Sequence, residues 1–186
     1  MLTIDHSQNR RDPLAGVLAD LPPLKSTITA DLRESVINAL RQRDHEALTE
    51  ILEETALLRP EIALRVVWLP IALGIDAWDA AGEPLPDGRS LCRTLRAQAR
   101  SALLSLPALP VSRWLVPSTL HDTTAAHLAV LALSLRGMGA RVWTWPLPPP
   151  GPALLVGDAG SPLATAGRIP TLSDEPGWPT LAALVA

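Results

Sequence analysis

Residues 113–145 read RWLVPSTLHDTTAAHLAVLALSLRGMGARVWTW, and the reading of this stretch decides the fold class. RWLVPS is a short apolar run that stops at a proline and a serine, the signature of a buried strand. TTAAHLAVLALSLRGMG follows, too long and too rich in alanine and leucine for a strand, and it closes on glycine as a helix does. ARVWTWPL then opens a second strand at Ala140. Parallel neighbours need a crossover, so strand, helix, strand at this spacing predicts a βα unit feeding a parallel sheet.

Downstream, PALLVGD (152–158) is a third strand, RIPTLSD (168–174) a weak fourth, and PGWPTLAALVA (176–186) a short terminal helix. The crossovers between them, PPPGP and AGSPLATAG, are too short for the helices of an ordinary doubly wound domain, so the sheet domain is expected to be trimmed.

Upstream, the period is helical. TADLRESVINALRQRD (29–44) opens on a Thr or Asp cap and puts Leu32, Val36, Ile37 and Leu40 on one face. HEALTEILEETALL continues after a break at Asp44 and His45. PEIALRVVWLPIALGIDAWDAAG (60–82) starts on a first-turn proline. Pro70 within it is expected to kink the helix or remove one backbone bond. RSLCRTLRAQARSALLSL (89–106) carries a stripe of Cys92, Leu95, Ala99, Ala102 and Leu106. Four helices with short connections predict a bundle. The expected organisation is a flexible N-terminal arm (1–27), a four-helix bundle (28–107) and a truncated Rossmann-like α/β domain (111–186).

Composition excludes several function classes. A net charge of −3 with a single lysine, Lys25, leaves no basic face of the size that nucleic-acid binding needs. One cysteine rules out an internal disulfide and a cysteine-rich zinc site. The N-terminus lacks the basic-then-apolar order of a signal peptide, and no apolar run reaches the roughly 20 residues that span a bilayer. The chain therefore reads as cytoplasmic. No Ser-His-Asp set, phosphate loop or paired-carboxylate site has convincing spacing, so an enzyme is not expected. Six tryptophans stand beside no phenylalanine and no tyrosine, which suits either core packing or the walls of a flat conjugated ligand.

The order of bundle and α/β unit resembles the cobalamin-binding domains of methionine synthase and of light-sensing MerR-type repressors. LPIALGIDAWDAAGE matches that family's third helix and its Gly-Glu turn, with Trp78, Gly82 and Glu83 in corresponding positions. HLAVLALSLRGMGARVW is similar to its small-apolar helix and the following "Gly, any, Arg, Val". The resemblance covers about residues 29–186 and implies a cleft between bundle and sheet that holds a tetrapyrrole.

Three departures qualify what it implies. The family's loop of acid, any, His, any, any, Gly falls on Asp122, Thr124 and His127, so the cobalt-ligand histidine is a threonine. The repressors' Glu-His on the fourth helix is Arg89-Ser90 here. The segments that lodge the cobalamin tail read Val156-Gly157-Asp158 and Ser173-Asp174.

A pocket that keeps tetrapyrrole room without a metal ligand or tail groove suits a linear, metal-free bilin such as biliverdin. Cys92 would attach it, with Arg89 and Arg93 favouring the thiolate. Arg89, Arg93, Arg96, Arg113 and Arg141 are candidate propionate partners. Trp68, Trp78, Trp143 and Trp145 would form walls, and His121, Asp122 and His127 would bond pyrrole nitrogens or lactam oxygens.

Plainer roles stand beside each of these. Cys92 also reads as a small core residue, the arginines as a solvated helix face, His127 as a capping or core histidine, and Trp78 as bundle core. Trp143 and Trp145 share one side of a strand by period two. The functional expectation is a sensory bilin-binding photoreceptor module, with histidine-free cobalamin binding or a ligand-free interaction scaffold as alternatives. An unidentified protein partner would read the signal, and the resemblance adds a possible homo-oligomer.

Overall fold

The computed structural model describes residues 12–19, 21, 23–24, 26–118, 122–144 and 149–156. Among these the protein is mostly helical, with a small three-stranded parallel sheet. Helices are α1 (Leu14–Ala19), α2 (Thr27–Gln42), α3 (His45–Glu54), α4 (Pro60–Ala63, Leu64–Trp68 and Leu69–Ala80), α5 (Gly88–Leu104) and α6 (Asp122–Leu135). Strands are β1 (Arg113–Pro117), β2 (Ala140–Val142) and β3 (Ala153–Val156).

The break between α2 and α3 is built from two local devices. Arg43 takes the left-handed conformation (φ 57°), and the Asp44 carboxylate accepts the Ala47 N–H at 3.0 Å as an N-cap. Helix α3 therefore leaves antiparallel to α2. His45 faces Asp87 and Gln98 reaches the Leu52 carbonyl, so α3 and α5 run in the same direction. Arg33 bonds Arg65 and Trp78 bonds Leu40, which sets α2 and α4 parallel to each other.

Helix α4 continues through Pro70 and widens ahead of it. Leu64–Trp68 form a π-helical turn in which the Leu69 N–H reaches back to the Leu64 carbonyl. Pro70 has no N–H for the Arg65 carbonyl one step on. The guanidinium of the nearly buried Arg33 donates to that carbonyl instead, at 2.9 Å.

The N-terminal arm is corrected in part. Residues 14–19, expected to be flexible, form α1, which packs against α4 with Leu14 fully buried. Burying Leu14 contributes about 1.5–3 kcal/mol toward holding this six-residue helix on the core.

In the sheet the strand order is β2-β1-β3, all parallel, with Leu115 opposite Val142 and Leu154. Helix α6 is apolar around most of its circumference, as a helix is when neighbours cover most of it. It lies between α5 and the sheet, with Leu128–Leu133 buried. One apolar cluster runs without interruption from Leu14 through α2–α6 to Leu154 and Val156. The α6–β2 turn is set by two glycines: Gly137 has φ +77°, and Gly139 lies against the Pro110 backbone.

The expected strand at 168–174 and terminal helix at 176–186 lie outside the described residues, as do the tail-groove segments beyond Val156. No helix among the described residues is long and apolar enough to cross a membrane.

Candidate functional site

Helices α5 and α6 run side by side in the same direction. Thr124, in the first turn of α6, donates its hydroxyl to the Cys92 carbonyl on α5 at 3.2 Å. Further along, His127 faces Arg96 and Arg100 of α5. The N-termini of both helices thus sit at the end of the molecule where β1 finishes, and there Ser118 bonds the Asp122 carboxylate at 2.5 Å. Strand β1 is flanked by β2 on one side and β3 on the other, so its carboxyl end is a topological switch point, where ligands bind in open parallel sheets.

At this level the two halves of the chain touch directly. Thr124 is buried and its hydroxyl is engaged, so it lines no pocket, and a flat ring cannot lie between α5 and α6 here. The Thr124–Cys92 contact closes the seam between α5 and α6 at this level, and the side chains beside it on its outer side are only partly buried. Cys92 is half-buried and packs against the apolar core; Arg96 and His127 are also half-buried, and Arg100 is exposed. Cys92, Arg96 and Arg100 recur at i, i+4 and i+8, which keeps them near one face of α5.

His127 has a defined tautomer. Its Nδ1 is 2.7 Å from the Thr123 carbonyl, which only an N–H on that nitrogen satisfies, leaving Nε2 with its lone pair. Burial pushes the imidazole below its ordinary pKa; the bond to Thr123 works the other way, and Arg100 and Arg96 depress it further. A depressed imidazole binds its proton more weakly folded than unfolded. Stability is therefore whole above about pH 6.5 and is lost as pH falls through the unfolded value toward the folded one. Urea midpoints between pH 7.5 and 5 should fall more steeply for the wild-type protein than for His127→Gln; parallel curves would dismiss this account.

Other expected site residues are placed elsewhere. Trp78 is buried against α2: its indole N–H donates to the Leu40 carbonyl at 3.0 Å, and Arg43 stands 5.2 Å from the ring centroid. Trp78 is thus committed to helix packing. Trp68 is buried in the π-helical turn. Trp143 follows β2 and meets Trp114 edge-to-face at 5.1 Å. In register, Trp114 lies beside Arg141 and Ala153, on the sheet face opposite the Leu115, Val142 and Leu154 side that packs toward α6. That separates both rings and Arg141 from the Cys92 seam. Arg89 and Arg93 are exposed, and the cations that face His127 are Arg96 and Arg100 instead. His121 and Trp145 lie outside the described residues.

Arg100 was absent from the expected site, although its spacing of two four-residue steps from Cys92 through Arg96 was available as a signal. Ser118 carried no signal at all. Among the described residues no group of three His, Cys, Asp or Glu side chains converges as a metal site. A single imidazole whose Nδ1–H is held by a backbone carbonyl, as in His127, could offer its Nε2 to a metal, since such a carbonyl is a usual support for a ligating histidine. The chain matches no protein-family model, no curated protein and no solved structure.

Proposed function

We propose that this protein is a sensory tetrapyrrole-binding module of the cobalamin-binding type, with α2–α5 as its four-helix bundle and the sheet with α6 as a trimmed Rossmann-like domain. Its ligand is a bilin, biliverdin in kind, lying along the outer side of the α5–α6 seam. The observation that supports this reading is that His127 faces Arg96 and Arg100, with the one cysteine, Cys92, a turn before Arg96 on the same helix. Each has a task on a linear tetrapyrrole. The Cys92 thiol adds across a vinyl group: the S–C bond forms, the double bond is lost, and the thiol proton ends on carbon, with no oxidant required. Arg96 and Arg100 pair the propionates. His127 bonds a pyrrole nitrogen or lactam oxygen. Light-driven isomerisation then strains the seam, and a partner protein reads the altered surface.

The test is the protein purified after co-expression with a biliverdin source. Red absorption bands and a zinc-fluorescent band on a denaturing gel are expected. Cys92→Ala should abolish the gel fluorescence, and Arg96→Gln should weaken retention of the free pigment at least several-fold. Colourless protein from every preparation would end the proposal.

A second reading, a corrinoid, is favoured by one observation: the His127 Nε2 lone pair supported from Nδ1. It predicts corrin bands that survive Cys92→Ala and disappear in His127→Ala.

A further inference from the structure

We infer that the outer face of α3, with the turn that follows it, is a docking surface for a basic amphipathic segment of a partner protein. Leu48 and Leu52 are fully buried on one side of α3. Its other side carries Glu46, Glu50, Glu53 and Glu54, all exposed and spaced by helical steps. Leu57 follows in the turn and is 98% exposed. Antiparallel packing brings the first turn of α2 beside that turn, and there Ile28 is 80% exposed, with Asp31 exposed one turn on. Scattered exposed leucines need no explanation, but two large apolar side chains set in a face of one charge sign mark a contact surface.

Charge selects the occupant. Among the described residues none of the four glutamate side chains has an ion-pair or hydrogen-bond partner, while the nearby Arg41, Arg43 and Arg59 are engaged by Asp12, Glu83 and Glu61. The arrangement is unfavourable to α3 itself. Glu46 and Glu50, and Glu50 and Glu54, are like charges four residues apart. Glu53 and Glu54 occupy the last turn, at the negative end of the helix dipole, with no basic residue in that turn. A helix that breaks its own electrostatic rules is completed from outside, here by cations. Nucleic acid and anionic lipid are repelled by such a face, and among the described residues no three of its carboxylates converge on a metal ion. A polypeptide with Lys or Arg at i, i+4 and i+7 meets the glutamates, and an apolar residue beside them covers Leu57 and Ile28; about three helical turns suffice. Helix α3 carries none of the candidate pigment residues, so this surface stands apart from the tetrapyrrole reading.

The experiment is fluorescence anisotropy of a labelled, end-capped helical peptide titrated with the full chain. The peptide carries lysines at i, i+4 and i+7 and one leucine on the same face; its twin has glutamates in place of the lysines. The lysine peptide should bind at least tenfold more tightly than the twin, and more weakly as salt rises. Glu50→Lys and Leu57→Ser should each weaken it at least fivefold. Asp79→Lys, an equal change in net charge at an exposed carboxylate of α4, should leave it within about twofold. Without peptide, Glu54→Lys should unfold at a higher temperature than the parent, because it relieves the helix, and yet bind the peptide less well. Equal affinity for the two peptides overturns the proposal, as does indifference to Leu57→Ser. A loss in Asp79→Lys as large as that in Glu50→Lys also overturns it, leaving only overall charge. An unfolding temperature for Glu54→Lys below the parent's removes the electrostatic choice of occupant. A parent dimer that Glu50→Lys breaks in sedimentation equilibrium gives the face to a second copy and overturns it too. Pigment is read separately by absorbance, so either result stands whatever the fate of the tetrapyrrole.

Discussion

Replacing Gly139 by alanine is expected to lower folding stability by on the order of 3 kcal/mol. A Cβ at this position would stand 1.8 Å from the Pro110 carbonyl oxygen and 2.7 Å from its carbon. Neither atom can swing aside as a side-chain tip would. The Gly139 carbonyl also accepts both the Ser112 N–H, at 2.8 Å, and the Ser112 hydroxyl, at 2.7 Å. Relief of the clash must move β2 from the segment entering β1, and these two bonds break as it moves. Thermal or urea unfolding measures the loss. Gly16→Ala in α1 is the control: nothing lies within 4 Å of its Cβ, and alanine favours a helix interior, so that variant should match or exceed the parent. A Gly139→Ala protein within about 0.5 kcal/mol of wild type would contradict the close approach.

The second large effect is a coupling. Arg33→Ala should cost about 2 kcal/mol, because it removes the donor from the Arg65 carbonyl inside the helical layer. The cost depends on Pro70. In a Pro70→Ala background a backbone N–H is restored in the widened turn and can serve that carbonyl, so Arg33→Ala should cost roughly 1 kcal/mol less than in the parent. A double-mutant cycle from urea unfolding reads the difference. Strict additivity would mean that the guanidinium and the missing proline N–H are unrelated, and the account of the π-helical turn would fail.

These two sites show how unevenly the sequence declares its structure. The glycine stop after α6 was legible, because a left-handed φ of +77° at Gly137 is a local demand that glycine meets. The demand on Gly139 comes from Pro110, almost thirty residues earlier, and nothing near Gly139 in sequence announces it. Likewise, Pro70 announced a perturbed helix by its chemistry, but not that the turn would widen, nor that Arg33 would complete it.

The candidate site follows the same division. Cys92 and His127 were found because their residue types are rare and chemically particular. Trp78 and Trp143 were grouped with them for equally chemical reasons, yet one ring packs against α2 and the other sits across the sheet. Residue type sets what a side chain is able to do, and only packing sets what it faces.

By itself, then, the sequence determined the positions and kinds of most described elements: apolar spacing, capping groups and turn residues act within a few neighbours and are read directly. It also determined that helices precede a parallel sheet, since a strand–helix–strand order allows little else. The tertiary structure alone decided the burial of Leu14, the strand order β2-β1-β3, the closed contact between Thr124 and Cys92, and the placing of His127 near Arg96 and Arg100. Each of these depends on which faces of distant segments meet, a choice made by the summed fit of the whole core rather than by any local pattern.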